Sequence, residues 1–318
     1  MLTILDPTSL LGGEILGRLV RGRTSVRPRL FHTGADPEHL IVEIAGEPVI
    51  VAPLTDLDEL ERSTTIVVTA RPAAEAMAER LLAWLRAHPR INLVDGTQPG
   101  VAGAEARCVT AGTVPPVRPS PPWYHLADPA LAAPAQLLVA LAPLAPESAC
   151  LTLLGPAAGF GAEALDELAA QGAARLSGSP ETRATHLPGV LAFDLAPAPD
   201  TRSAGLEAQV AEIFPGLEAT VTAIDAGVFH GHLATVAVTC RAAVTTERAR
   251  ALVRSVPGLR LLRRHDTTTV SAAVRHGGIA CGGVHARGRT VSAWLCADGL
   301  RVGGAEAVFD LLTALTAS

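Results

Sequence analysis

The stretch LTILDPTSLLGGEILGRLV, residues 2–20, decides the fold of the first half of the chain. Its opening part, LTILD at 2–6, is a short apolar run closed by Asp-Pro, which is typical of a buried β-strand that ends in a turn. In GGEILGRLV, residues 12–20, the isoleucine and leucines have the spacing of one face of a helix. A strand, a turn and a helix are therefore predicted in succession at the N-terminus.

The same alternation continues as far as about residue 113. Further strands are predicted at 27–33, 64–70 and 91–97, a polar β-rich piece at 40–54, and an amphipathic helix at 73–89. Strands that alternate with helices favour a parallel sheet with helices on its faces, which is a Rossmann-like arrangement.

The periodicity changes after a Pro-rich stretch at 114–129, which we interpret as the crossing between two domains. Beyond it we predict an apolar helix at 130–142, long strands within 149–156, 220–240 and 288–298, short helices near 162–170, 204–213 and 245–255, and a last helix at 299–315. The sequence thus predicts an α/β protein with a parallel-sheet domain over 1–127 and a larger-sheet α+β domain over 128–298.

The composition excludes several classes of protein. The 318 residues include 26 basic side chains, all of them arginine, and 31 acidic ones, which gives a net charge of −5. This balance provides no bulk attraction to nucleic acid or to an anionic membrane, so neither is expected as a partner. No apolar run reaches the roughly 18 residues of a membrane span, and the N-terminus lacks the basic flank of a signal peptide. We therefore expect a cytoplasmic protein.

The five cysteines point to a reducing compartment. They are Cys108, Cys150, Cys240, Cys281 and Cys296. None forms a Cys-x-x-Cys pair and the count is odd, which argues against a disulfide or zinc framework, and no metal is predicted. The last four lie in or at the start of strand-like segments, and we interpret them as buried structural thiols.

Six segments, spread in order over nearly the whole chain, resemble motifs of one enzyme family. They are ILDPTSLLGGEIL (4–16), ADPALAAPAQLLVALAPL (127–144), LTLLGPAAGFGAEALDEL (151–168), LPGVLAFDLAP (187–197), GVFHGHLATVAV (227–238) and ADGLRVGGAEAV (297–308). In this order and spacing they resemble the aspartate-semialdehyde dehydrogenase family.

The resemblance implies an N-terminal NADP-binding Rossmann domain completed by the C-terminal segment 299–318. It also implies a central domain, residues 128–298, that carries catalysis and homodimerisation. The family's reaction belongs to amino-acid biosynthesis: a cysteine thiolate attacks the aldehyde, a histidine moves the proton and NADP takes the hydride. An arginine pairs with the substrate carboxylate.

The position of the nucleophile is the first point at which this chain departs from the family. The segment HLADPALAAPAQLLVALAPL, residues 125–144, predicts a helix whose N-terminal field would stabilise a thiolate. Counting from Asp-Pro places the family's cysteine at Leu131, and counting back from Gln136 places it at Ala132. Neither hydrocarbon side chain can form a thioester. Gln136 itself is retained, either at the site or as a solvated helix residue.

Of the two residues that the resemblance assigns to proton transfer and substrate binding, the histidine is present and the arginine is not. His232 matches the family's catalytic base, although a strand-edge histidine is also a common structural residue. The substrate arginine is expected seven residues earlier, where this chain has Asp225, and no arginine occurs between Arg202 and Arg241. A carboxylate there would repel a carboxylate substrate.

The nucleotide loop is altered as well. Thr8 and Gly12 are retained, but the first two glycines of the family's pattern are Asp6 and Ser9, and Pro7 has no N–H. Those glycines allow the tight turn and the close approach of the backbone to phosphate.

Three other positions bear on the cofactor and the substrate. The turn that follows in the second domain keeps Gly159 and Gly161 as cofactor-binding candidates, with the bulky Phe160 between them. Arg71 stands where the family has small residues, either as a phosphate ligand or as a solvated surface residue. The family's Asn in Ile-Ala-Phe-Asn is Asp194 here.

Several requirements of the reaction fail together: the thiol, the substrate arginine, the glycine loop and the asparagine. The leading hypothesis is a non-catalytic paralogue that acts as a dimeric binding or scaffold protein, with weak or absent binding of NADP, the cofactor that the resemblance implies. The alternatives are an active NADP-dependent semialdehyde dehydrogenase with a changed nucleophile or substrate, and a heteromeric partner of a true dehydrogenase.

Overall fold

The computed structural model describes residues 1–22, 27–34, 38–115, 117–180, 183–263, 266 and 268–317. Pro116 of the Pro-rich stretch and the terminal Ser318 lie outside the described residues. Contacts divide the chain into two units: Met1–Ala127 with Gly304–Ser318, and Asp128–Gly303.

The first unit is built on an eight-stranded sheet. The order of its strands is β3-β4-β2-β1-β5-β6-β8-β7, and every pair is parallel except β3 with β4. The strands are β1 (Leu2–Leu5), β2 (Arg29–His32), β3 (Leu40–Ile44), β4 (Glu47–Pro53), β5 (Thr65–Val68), β6 (Asn92–Asp95), β7 (Arg107–Val109) and β8 (Trp123–Leu126). The central strands β1, β5 and β6 are buried along their whole length, as expected of parallel strands covered on both faces.

The α-helices among the described residues of this unit are α1 (Leu10–Arg21), α2 (Glu75–Ala87) and the C-terminal α8 (Ala307–Ala317), and short 3-10 helices lie at Leu57–Arg62 and Gly103–Glu105. Helix α2 buries Leu81 and Leu85 in a core that includes Trp123 of β8. Helix α8 is tied to the same unit because Arg18 of α1 lies over the Phe309 ring and the Asp310 carboxylate accepts from Gly112 N–H.

The second unit is built on a seven-stranded mixed sheet of order β10-β11-β9-β12-β15-β14-β13. Its strands are β9 (Pro146–Gly155), β10 (Leu195–Pro197), β11 (Glu218–Ala226), β12 (His232–Cys240), β13 (Leu259–Leu261), β14 (Ile279–Arg287) and β15 (Thr290–Ala297). Its helices are α3 (Ala132–Leu141), α4 (Ala162–Ser177), α5 (Asp200–Ile213), α6 (Thr246–Ser255) and α7 (Val270–His276). The predicted fold class, a parallel-sheet unit followed by an α+β unit, is confirmed.

Several local expectations were wrong. The Pro-rich stretch is not only a crossing, because Trp123–Leu126 forms β8 inside the first sheet, where tryptophan burial outweighs the nearby prolines. The segment 220–240 is two strands, since the chain turns between Ala226 and His232. Strand β14 was missed because its glycine pair carries no β signal.

The expectation for Cys150 was also wrong. Cys150 lies in the middle of β9 and is exposed, because alternate residues of that strand face away from the core. Cys240, Cys281 and Cys296 are buried, as predicted.

Candidate functional site

The start of helix α3 is the position at which the sequence resemblance places the nucleophile. Asp128 caps a short 3-10 turn at Pro129–Leu131 by accepting a hydrogen bond from Ala130 N–H at 2.8 Å, and α3 follows directly. Leu131 and Ala132 are 1% and 0% exposed, so both are core residues. The helix start therefore has buried hydrocarbon side chains at both expected positions of the nucleophile. Gln136 is half-buried in the next turn.

His232 begins β12 and is 8% exposed. Its Nδ1 has no hydrogen-bond partner in the described part of the chain. A Cβ on Gly299 would lie 2.6 Å from Nδ1 and 2.8 Å from Pro129 Cβ, so only glycine at 299 leaves room for the imidazole. Burial lowers the pKa of His232 to about 4; the nearby Asp128 carboxylate acts against this shift and Arg202 reinforces it. The ring is therefore neutral at pH 7 and a weak proton acceptor.

An ion-pair cluster lies beside this histidine and explains the unexpected acid. Asp225, in β11, is 1% exposed, and its Oδ1 accepts from Arg202 Nη1 at 2.5 Å. Arg202 Nη2 is 3.8 Å from Asp128 Oδ2, and the guanidinium carbon lies 5.6 Å from the centroid of the Phe160 ring. We refer to Asp128, Phe160, Arg202 and Asp225 as the Arg202 cluster. Burial raises the pKa of the Asp225 carboxyl, and the Arg202 charge counteracts that rise.

The sequence did not predict the role of Arg202. It enters from α5, 23 residues before Asp225, and no motif links the two positions. The available signal was Asp225 itself, since an acid at a buried position of a strand requires a cation or hydrogen-bond donors. The charge reversal at 225 is thus neutralised inside the protein.

The second unit contains four cysteines, of which three are buried and Cys150 is exposed. Cys296 pairs with Leu233 across β15 and β12, and both pack under α7, on the opposite face of the sheet from His232. Burial raises the pKa of Cys296 to about 11 and that of Cys281 to about 12, and it also raises the pKa of Cys240. These thiols stay protonated at neutral pH. Cys150 faces the outer side of the sheet, away from the core residues around His232.

Asp194 has a structural role at the edge of the seven-stranded sheet. Its carbonyl accepts from Gly227 N–H at 3.0 Å and its carboxylate accepts from Leu195 N–H at 2.8 Å, so it fixes the start of β10. The preceding loop is anchored to α4 by Glu167, whose carboxylate accepts from the Thr185, His186 and Leu187 N–H groups. Burial acts to raise the pKa of Glu167, but these hydrogen bonds together outweigh it and lower the pKa to about 2.

In the first unit, the two polar residues of the loop between β1 and α1 form hydrogen bonds within the protein. Asp6 has a φ of 57°, the left-handed conformation that a glycine would adopt at this position. Its carboxylate accepts from Thr33 N–H at 2.8 Å and from Thr33 O–H at 2.7 Å. Ser9 caps α1 by accepting from Gly12 N–H at 3.0 Å.

The other loop positions separate into structural and exposed residues. A Cβ on Gly12 would lie 2.5 Å from the Pro7 carbonyl oxygen, so glycine is needed for the close packing of helix on loop. Thr8 is exposed. Arg71 donates to Glu75 at 2.7 Å and to the Pro99 carbonyl at 3.2 Å.

In the second unit, Gly159 and Phe160 are exposed at the end of a short turn, and Gly161 has a φ of 106°. In the described residues, no three His, Cys, Asp or Glu side chains are grouped closely enough to hold a metal ion. None of the described helices is long and apolar enough to cross a membrane.

No protein-family model and no curated protein sequence match this chain. Solved structures do. Aspartate semialdehyde dehydrogenase II from Vibrio cholerae matches with a TM-score of 0.87 and 20% identity, over 100% of this chain and 98% of that chain. A probable aspartate-semialdehyde dehydrogenase from Pseudomonas aeruginosa matches with a TM-score of 0.87 and 20% identity, over 99% and 98%.

This chain has the aspartate-semialdehyde dehydrogenase fold. The same fold extends to the enzyme from Candida albicans, whose structure contains NADP, with a TM-score of 0.70 and 11% identity over 99% of this chain and 98% of that one. The resemblance that the sequence motifs predict is therefore confirmed at the level of the fold. At 11–20% sequence identity the fold does not establish an activity, which has to be argued from the residues of the site.

The described geometry brings several of the predicted site residues together in the second unit. The structure brings His232 close to the Asp128–Pro129 turn that precedes α3, as the family pattern requires. Leu131 and Ala132 are buried hydrocarbon side chains at the start of α3, and Asp225 forms an ion pair with Arg202.

Proposed function

We propose that this chain is a non-catalytic relative of the aspartate-semialdehyde dehydrogenases that acts as a dimeric binding or scaffold protein. The observation that carries the proposal is the start of α3, where Leu131 and Ala132 are packed core side chains. Acyl transfer through a covalent intermediate needs an accessible nucleophile with a base beside it. Burial raises the pKa values of the Cys240, Cys281 and Cys296 thiols, so these groups stay protonated and do not replace the missing nucleophile.

The Arg202 cluster supports the same proposal from the side of the substrate. An arginine that binds a carboxylate substrate must have free N–H groups directed at it. Here the Asp225 carboxylate already occupies Arg202 Nη1, and Asp128 lies 3.8 Å from Nη2. The Asp225 carboxylate therefore takes the place that a substrate carboxylate would have on Arg202, and the charges of the two side chains neutralise each other.

The β1–α1 loop does not fit a dinucleotide pyrophosphate. Asp6 places a carboxylate at the point where the loop turns, Pro7 offers no N–H, and the Gly12 N–H is already bound to the Ser9 hydroxyl. Backbone N–H groups of such a loop are what bind the phosphates. NADP, the cofactor of the Candida albicans structure, is therefore proposed to bind this chain weakly or not at all.

Replacing Asp6 and Ser9 together by glycine is expected to raise the affinity for NADP at least about tenfold, or 1.4 kcal/mol, because it removes a negative charge and frees a helix N–H group. Fluorescence titration measures this. Asp58→Gly, an exposed acid in the same unit, serves as the control and leaves the affinity unchanged. A dissociation constant in the low micromolar range for the unaltered protein contradicts the argument.

The outer face of the second sheet supports the dimer. Across β11, β9 and β12, the exposed residues Thr220, Cys150 and Thr235 are uncharged, and Thr235 pairs with Thr152 in register. By register the same face also carries the apolar Ile224, Leu154 and Leu233 at one end and Glu218 at the other. A face whose centre has no charged side chain suits an obligate interface, which typically buries more than ~2,000 Å².

Light scattering is expected to give twice the 32.8 kDa mass of one chain. Thr235→Arg, which puts a charge in the centre of the face, should produce the monomer, while Thr313→Arg on the exposed side of α8 should leave the dimer intact. A monomer at micromolar concentration for the unaltered chain rules the dimer out.

The alternative function is an active NADP-dependent semialdehyde dehydrogenase with a changed nucleophile or substrate, favoured by the retained His232. The test is phosphate-dependent reduction of NADP with aspartate semialdehyde. We expect no rate above that of buffer. Turnover that His232→Ala abolishes would overturn the non-catalytic proposal.

Co-purification with a true dehydrogenase would identify the binding role as that of a heteromeric partner. The free thiols favour a cytoplasmic setting for either role.

A further inference from the structure

One segment of the chain has a charge opposite to that of the whole. Residues 241–289 contain ten arginines and only two acids, Glu247 and Asp266, in a protein whose net charge is −5. The segment covers α6, β13, α7 and β14 of the second unit. Such a local excess of cations produces a positive potential that attracts anions even to an acidic protein.

A cleft of about 390 Å³ opens within this segment, between α6 and β14. Its lining residues are Thr246, Glu247, Arg250, Arg254, Val284 and His285. Thr246, Arg250 and Arg254 are spaced four apart along α6, so their side chains lie on one face of the helix. The volume lies within the usual range of small-molecule sites, about 300–1,000 Å³.

A β-bulge positions the strand side of the cleft. The register of β14 against β15 shifts between Gly282 and His285, and Gly283 has a φ of 61°. A Cβ on Gly282 would lie 2.1 Å from the Trp294 ring, so the tryptophan packs directly on this backbone and fixes the bulge. The Thr246 hydroxyl then accepts from Ala286 N–H at 2.9 Å and holds the helix to the strand.

The cationic groups of the cleft are largely available to a ligand. Arg250 donates through Nη2 to the Leu262 carbonyl at 3.2 Å, which orients the guanidinium while leaving further N–H donors. Arg254 is exposed, and no ion pair or hydrogen bond of its side chain occurs in the described residues. His285 Nδ1 is bound to the Gly283 carbonyl at 2.9 Å, so Nε2 is the ring nitrogen left for a ligand.

We propose that this cleft binds the phosphate group of a small phosphorylated molecule. Two arginines one helical turn apart offer the forked donors that match phosphate oxygens, and His285 adds a third contact from the strand. The Glu247 carboxylate at the same cleft repels a second phosphate and accepts from a hydroxyl, which favours a phosphomonoester of a hydroxylated carbon chain over a polyphosphate.

The test is calorimetric titration of the full chain with glycerol 3-phosphate, and separately with inorganic phosphate and pyrophosphate, against chloride at equal ionic strength. One saturable site per chain is expected, with glycerol 3-phosphate bound more tightly than pyrophosphate. Arg254→Gln is expected to weaken binding at least about tenfold, because a charge-assisted pair is lost at an exposed position that does not affect folding. Arg250→Lys, which keeps the charge and loses the fork, should also weaken it.

Arg248→Gln is the matched control, since Arg248 is an exposed arginine of the same helix outside the cleft. It should change the affinity less than twofold. The absence of saturable binding overturns the proposal, as does an equal loss in Arg248→Gln, which would indicate general charge screening. Tighter binding of an RNA oligonucleotide, weakened alike by Arg248→Gln and Arg254→Gln, would assign the surface to nucleic acid instead.

Discussion

Arg202→Met is expected to lower the free energy of unfolding by about 3–5 kcal/mol, because it leaves the Asp225 carboxylate buried without a counter-charge. Asp225 is 1% exposed and Arg202 is its ion-pair partner, whereas the methionine fills the space above Phe160 without charge. Urea denaturation of the variant and the unaltered chain at pH 7 gives the difference directly.

The double variant Arg202→Met with Asp225→Asn serves as the control. It should recover most of the loss, since an amide can be buried at a much smaller cost than an unpaired carboxylate. The loss in the single variant should also shrink as the pH falls, because the raised pKa of Asp225 lets the carboxyl become neutral. Equal stability of the single and double variants would show that the pair does not hold the site together.

Leu131→Ala is expected to lower the free energy of unfolding by about 2–5 kcal/mol, the usual cost of a cavity in a well-packed core. Leu131 is 1% exposed at the position where the family pattern places the nucleophile. If that position instead faced an open active site, truncation would cost little. The experiment therefore distinguishes a packed helix start from a vacated catalytic pocket.

Leu176→Ala is the matched control, because Leu176 is 80% exposed at the end of α4. Its effect should stay within about 0.5 kcal/mol. A change of that size in Leu131→Ala as well would contradict the packing argument and reopen the question of a substrate pocket at α3.

The first unit was largely predictable because its strands and helices are locally encoded. β1, β5 and β6 are apolar runs bounded by turns, and α2 has a clear helical period, so strand–helix alternation indicates a parallel sheet. β8 was not predictable, since its assignment depends on Trp123 packing into the core rather than on local pattern. β14 was missed because its glycine pair exists to accommodate Trp294 from the neighbouring strand.

At the candidate site, the sequence shows which residue types are missing, but it does not predict the contacts that the substituted residues make. The absence of a thiol at Leu131 and Ala132 is a matter of residue identity, which the sequence states directly. The pairing of Arg202 with Asp225 is a contact between a helix and a strand, and nothing in the spacing indicates it. Asp6 and Ser9 read as defects of a glycine loop, whereas they bond Thr33 and cap α1.

These replacements change what a reconstruction of activity requires. Asp225→Arg, which restores the family's residue, would place a second guanidinium against Arg202 in a buried position. Asp225→Asn instead frees Arg202 N–H groups for a carboxylate. Ala132→Cys adds a sulfur at a position that is 0% exposed, so its thiol has no access to substrate. None of these changes alone is expected to produce turnover.

The central claim is that the protein forms no covalent intermediate, and intact-protein mass spectrometry tests it most directly. The unaltered chain is incubated with aspartate semialdehyde and NADP without phosphate, so that an acyl-enzyme would accumulate rather than be released. We predict an unchanged protein mass, because Leu131 and Ala132 at the start of α3 carry no group that could attack the aldehyde. A mass increase of one aspartyl group, lost in His232→Ala, would contradict the account.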